Sequence, residues 1–225
     1  VRCFPHIVNL ACKAVLGAMT DMSYAVENAA NYVPNDDSVT TIADAIRRDP
    51  VATTRTLVCV IRASSIRRQY FAEVQKALQQ KDLQLLRDVD TRWSSTLLMI
   101  ERVLLLREAI NRFLSNREFE ELCKYQLSDV EWDTLEAYKK ILAVPHAFQQ
   151  RLSSEKTPTL CDVVPSFEAM LRVWQCQKLE LPDMACVIDA GMMKLESYRN
   201  RSEVVPAYVL AMGELSYPVS IPFGS

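Results

Sequence analysis

Glycine is scarce. The 225-residue chain has four, Gly17, Gly191, Gly213 and Gly224, no two of them within ten positions. Phosphate cradles need clustered glycines so that backbone amides can close on a phosphate, so P-loop and dinucleotide-fingerprint enzymes are excluded. Histidine is scarcer still, with only His6 and His146, and no Ser-His-Asp or Cys-His order stands out. The longest aliphatic run, Leu57 to Ile61, falls far short of the ~20 residues that cross a membrane. Seven cysteines (positions 3, 12, 59, 123, 161, 176 and 186) form no C-x-x-C pair. An odd, scattered set within apolar segments reads as reduced, buried thiols in a cytosolic or nuclear protein. Only Cys3 and His6 sit at a ligand-like spacing, and zinc takes four ligands, so no closed zinc site is expected.

What is present suits a packed core: 49% hydrophobic and 24% charged residues, enough for one large domain or parts of two. Opening at Val1 rather than Met, the chain reads as an excerpt. The net charge of −2 is unevenly spread. Seven basic residues fall between Arg47 and Lys76 against Asp49 and Glu73, and seven acidic ones between Glu118 and Glu136 against Lys124. The basic block leaves a polyanionic partner open; the acidic one reads as a solvated helical face.

Helical signals dominate. Ile7 to Met19 has few breakers and an apolar set that suits a helix, and Tyr32 to Thr40, with Pro, Asn and two Asp, reads as a loop. Arg48 to Leu86 has no Gly and no Pro after Pro50, itself a helix-start residue. At ~100° per residue, Arg48, Arg55 and Arg62 fall within a ~40° stripe with Leu57 and Ile61 opposite, an amphipathic helix with an arginine edge. Leu83 to Val89 is the strand candidate, followed by Asp90-Thr91-Arg92-Trp93. Met99, Val103, Leu106, Ile110 and Phe113 step by four and three, one buried helix face. Ser128 and Glu131 form a capping box that opens a helix toward Pro145, which kinks or ends it. Pro158-Thr159 opens another stretch, interrupted by Pro165, and Asp189–Tyr198 and Val205–Met212 complete a chain that is all helix from about residue 94.

Few residues offer chemistry. His6, in Cys3-Phe4-Pro5-His6, serves either near a phosphate or metal, or as a helix-start histidine bonded to backbone. For Arg92-Trp93 one reading is a guanidinium on a phosphate beside an indole stacked on an unpaired base; the other is a surface arginine and a core tryptophan. Asp88 and Asp90 would share one strand face, but two-metal hydrolysis needs carboxylates converging from several elements, and three cannot be nominated.

The order of these blocks resembles the hAT superfamily of DNA transposases. Arg2 to Leu10 (RCFPHIVNL) is similar to the family's R-C-x-x-H-x-x-N-L block. Asp88 to Thr96 (DVDTRWSST), continuing through Leu97 to Arg102, resembles its D-x-x-T-R-W-N/S-S-T and M-L-x-R run. Leu127 to Trp132, Leu152 to Thr159, Asp189 to Tyr198 and Ala207 to Met212 resemble its helical insertion region. The likeness runs from residue 2 to about 212; from Gly213 onward it ends. It implies a mainly α fold: residues 1–93 as a partial RNase H-like core with one or two short strands, 94–212 as an all-helical insertion domain, and 213–225 as a divergent tail. Intact members use Mg²⁺ or Mn²⁺ on three acidic residues; by this comparison none of those acids lies in the chain, so it should hold no cofactor and be no enzyme by itself. The resemblance carries Cys3 and His6 onto the C-x-x-H motif and Arg92 and Trp93 onto the R-W pair, whose Trp stabilises a flipped base. It implies a nuclear, DNA-binding transposase remnant that is not membrane-bound and whose full-length form oligomerises, with contacts from His6, Arg92, Trp93 and the Arg48/Arg55/Arg62 stripe. The competing expectations are a helical protein-interaction module derived from a transposase, or a fragment without function.

Overall fold

Two polar residues, Asp49 and Ser64, break what reads in sequence as one long arginine-edged helix. The computed structural model of the chain describes residues 4–25, 32–35, 38–89, 93–154 and 160–202. Its first helix, α1, spans Phe4–Met19. The Tyr32–Thr40 loop, where described, is irregular and leads into α2 (Ile42–Arg48). Thr41 and Asp44 make a reciprocal capping box there: Thr41 N–H donates to Asp44 Oδ2 (3.0 Å), and Asp44 N–H to Thr41 Oγ1 (3.2 Å). The Thr41 hydroxyl and neighbouring donors bring the Asp44 carboxyl down to about 2.

Asp49 then takes a left-handed conformation (φ 50°, ψ 76°), ending α2 and capping α3 (Pro50–Ala63) through Ala52 N–H on Oδ1 at 2.8 Å. Pro50 begins α3 because its missing N–H would have had no helical partner there. Ser64 ends α3 and caps α4 (Ser65–Ala77). Arg48 therefore sits on a different helix from Arg55 and Arg62. Helix α3 contacts α2, α4, α5, α7 and the 3-10 segment Arg117–Tyr125, so Pro50 to Val58 are buried on every face, Arg55 included.

The strand expected over Leu83–Val89 does not form. These residues lie outside any helix, and no β-strand occurs among the described residues. Side chains replace a neighbouring strand. Gln75 brackets Leu83, its Nε2 donating to the Leu83 carbonyl (3.2 Å) and its Oε1 accepting the Leu83 N–H (3.0 Å). Arg102 donates to the Gln84 carbonyl and Arg62 to the Leu85 carbonyl. The N–H groups of Gln84, Leu86 and Asp88 have no hydrogen-bond partner among the described residues.

The Met99–Phe113 face is buried as its spacing predicts, with all five residues at most 2% exposed. It spans two helices, α5 (Trp93–Leu105) and α6 (Arg107–Leu114), joined at Leu106. The Ser128–Glu131 capping box is present, Ser128 N–H donating to Glu131 Oε2 (2.8 Å) and Glu131 N–H to Ser128 Oγ (3.3 Å). It opens α7 (Asp129–Ser154), which runs on through Pro145. Helix α8 (Leu160–Glu180) likewise runs through Pro165, and α9 (Ala185–Ser202) follows a short 3-10 turn. Val205–Met212 and Pro158-Thr159 lie outside the described residues. Helix α9 packs along α1, and the buried apolar residues form one cluster from Ile7 to Leu195 that spans both sides of position 93. Among the described thiols all are free, but only Cys12 is buried; Cys59 is partly exposed, and Cys123, Cys176 and Cys186 are exposed, contrary to the buried set expected.

Candidate functional site

Helix α3, the extended segment and the start of α5 meet at Asp88. Its Oδ2 accepts Arg55 Nε (2.9 Å) and Nη2 (2.7 Å), and its Oδ1 accepts the Ser95 hydroxyl (2.6 Å) and the Val89 N–H (2.8 Å). The Thr96 hydroxyl bridges both oxygens at 3.0 and 2.9 Å. Both side chains of the Arg55–Asp88 pair are 2% exposed. Five donors on one carboxylate offset the cost of burying its charge. The first aspartate of the D-x-x-T-R-W block thus fixes the chain entering α5, with Ser95 and Thr96 of that helix donating to it.

Trp93 is 4% exposed, so of its two readings the structure places it in the core, with no indole face open to an unpaired base. Its ring meets His146 of α7 edge-on, centroids 6.0 Å apart and planes at 81°. Arg92 and Cys3 lie outside the described residues. His6 is exposed in the first turn of α1.

The arginine stripe is committed internally. Arg48 donates to both Glu131 oxygens (2.8 and 2.7 Å) and to the carbonyls of Asn35, Lys124 and Gln126. Glu131 is fully buried, the exception in an acidic block otherwise mostly at the surface. Arg62 holds the Leu85 carbonyl. Pairing positions 48 with 131 and 55 with 88 needs contacts 83 and 33 residues apart, which local spacing cannot reveal. The reciprocal role of Glu131 in its capping box was readable; its second partner was not. Among the described residues, no group of three or more His, Cys, Asp or Glu could hold a metal ion.

Asp49 is a junction residue the sequence concealed, with Asp-Pro as its one local signal. Its Oδ2 accepts the Thr20 hydroxyl (2.7 Å) and the Asp21 N–H (2.9 Å), tying the end of α1 to the α2–α3 junction beside a cleft of about 530 Å³. Burial pushes its carboxyl above the ordinary range, outweighing these donors and the attraction of Arg55. A carboxyl raised in the fold binds its proton more tightly there than in the unfolded chain. Its contribution to stability is full below the unfolded value and is lost as pH rises through the folded one. In urea titrations across about three pH units from the carboxylate range upward, roughly pH 4 to 7, the chain should gain stability relative to Asp49→Asn as pH falls. A difference independent of pH would refute this.

A helical bundle with these blocks, its D-x-x-T-R-W aspartate locked into the core, is a transposase-derived helical domain. More particularly, the family model of the ZBED1 RNase-like helical domain matches residues 1–141, and the chain belongs to that family. No curated protein and no solved structure matches the chain. No helix among the described residues is long and apolar enough to cross a membrane.

Proposed function

We propose that the chain is the helical part of a nuclear, hAT-type transposase derivative that acts by docking protein rather than by cutting DNA. In this reading residues 83–89 form a strand of an RNase H-like sheet once a partner strand lies beside them. The observation that carries it is the edge at Gln84, Leu86 and Asp88, whose N–H groups lack partners among the described residues and whose Gln84 carbonyl is held by the Arg102 side chain alone. Exposed Val89 (50%), Leu98 (42%) and Leu105 (63%) add an apolar flank, the last two a heptad apart on α5. An unpaired edge with an apolar border is a template for strand addition. The DNA-binding reading has less support, because Arg48, Arg55 and Arg62 are engaged internally and Trp93 is covered.

The test separates the two. In sedimentation velocity the chain should self-associate with rising concentration, and the Leu98→Lys/Leu105→Lys variant should stay monomeric. Binding to hairpin DNA should be no tighter than to random duplex, in the nonspecific range of ~10⁻⁴–10⁻⁶ M at physiological salt. Hairpin-selective binding lost in a folded Trp93→Ala variant, with no self-association, would instead establish the nucleic-acid reading.

A further inference from the structure

A second cleft lies between α4 and residues 82–85, with a volume of about 320 Å³. Its floor is apolar: Ile61, Phe71 and Leu85 are all at most 4% exposed. Two arginines, Arg62 and Arg68, also line it. Each is pinned through one Nη1, Arg62 on the Leu85 carbonyl and Arg68 on the Arg62 carbonyl. Among the described residues, neither pairs with a carboxylate, whereas the neighbouring Arg55 and Arg67 do. A guanidinium offers five N–H donors in a fixed fork, so each pinned group keeps donors for another acceptor. Leu83 and Leu85 share one side of an extended chain, and the Leu85 N–H has no partner.

We propose that this cleft binds a short acidic peptide segment, with one apolar side chain on the floor and flanking carboxylates on Arg62 and Arg68. The charge balance favours an anionic segment: Arg62 and Arg68 outnumber Asp82 around an apolar floor. The volume stands at the small end of ligand pockets, ~300–1,000 Å³, which suits one anchoring side chain rather than a drug-sized ligand. A nucleic-acid strand fits less well. Stacking needs an open aromatic face, and Phe71, the aromatic residue of the cleft, is 4% exposed. The two arginines and the floor residues of this site take no part in the strand edge, so either can fail without the other.

The experiment is fluorescence anisotropy of the whole chain with a fluorescein-labelled peptide, Glu-Asp-Leu-Asp-Glu. Saturable binding that weakens with salt is expected. It should fall by about tenfold, the effect of ~1.4 kcal/mol, in Arg68→Glu, and equally when the peptide Leu is replaced by Ser. Arg68 is exposed, so that variant should fold, which its thermal melt checks; Ala72→Trp, filling the cleft, is a second block independent of charge. No saturable binding overturns the proposal, as does equal affinity in folded Arg68→Glu and Ala72→Trp. Tighter, Arg68-dependent binding of oligo-dT than of peptide assigns the cleft to nucleic acid and overturns it too.

Discussion

Trp174→Ala should cost about 3–5 kcal/mol of folding stability, and the reason begins 29 residues away at a proline. Pro145 lies inside α7 and has no N–H, so the Ile141 carbonyl four residues earlier loses its helical donor. Trp174 of α8 supplies the replacement, its Nε1 donating to Ile141 O at 3.1 Å from a fully buried position. The same ring packs on Gly191 of α9, where an added Cβ would lie 2.8 Å from Trp174 Cη2 and 2.5 Å from Val15 Cγ2. One indole thus joins three helices and lets α9 close onto α1. Trp174→Phe keeps a ring but strands the carbonyl, a loss of about 1–3 kcal/mol for a buried unsatisfied group. In a Pro145→Ala background the helix regains its own donor, so the Trp174→Phe cost should shrink. Urea unfolding of the four proteins gives the coupling; a Trp174→Phe cost unchanged by Pro145→Ala would sink the hydrogen-bond account and leave packing alone.

Pro145 also shows where the sequence stopped being readable. A proline in a helical pattern announces a break, and here tertiary structure repairs the break with a side chain from another helix. Local signals survived where neighbours in sequence are neighbours in space. The Ser128–Glu131 box formed, and the four-and-three spacing from Met99 to Phe113 marked five buried residues. The fold class, mainly helical, followed from such signals. The arginine stripe failed because periodicity gives the face of a helix but not what covers it. With helices on all sides of α3, its charged edge had to be buried too, and only a distant carboxylate makes that tolerable. The strand at 83–89 failed for a related reason. Its apolar pattern was real, but a strand needs a partner, and Gln75, Arg62 and Arg102 hold the segment instead. Trp93 illustrates the limit of motif reading: the block placed it correctly at the start of α5, while its burial under His146 depended on α7.

The Arg55–Asp88 pair gives the other large effect and tests the site itself. Asp88→Ala removes the acceptor shared by five donors and leaves a guanidinium 2% exposed without a counter-charge. Breaking a buried pair from one side costs about 3–5 kcal/mol, because the remaining charge is stranded. Arg55→Met should cost a similar amount by stranding the carboxylate, less whatever Ser95, Thr96 and the Val89 N–H still offset. Arg55 Nη1 has no partner even in the intact chain, so the pair already carries an unmet donor. The double variant Arg55→Met/Asp88→Leu removes both charges and that donor together, and should be clearly more stable than Asp88→Ala alone. Ser95 and Thr96 would lose their shared acceptor, so the entry to α5 should loosen, read as faster hydrogen exchange of its first-turn amides against an unchanged rate in α7. The comparison also bears on DNA. If Arg55 contacts phosphate, the folded double variant must lose affinity and about one unit of salt-dependence slope; if the pair is structural, DNA affinity stays as it was while only stability and the α5 amides change. Strictly additive costs in the double variant would show that the two groups do not act as a pair, and would remove the ground for reading Asp88 as the residue that sets the start of α5.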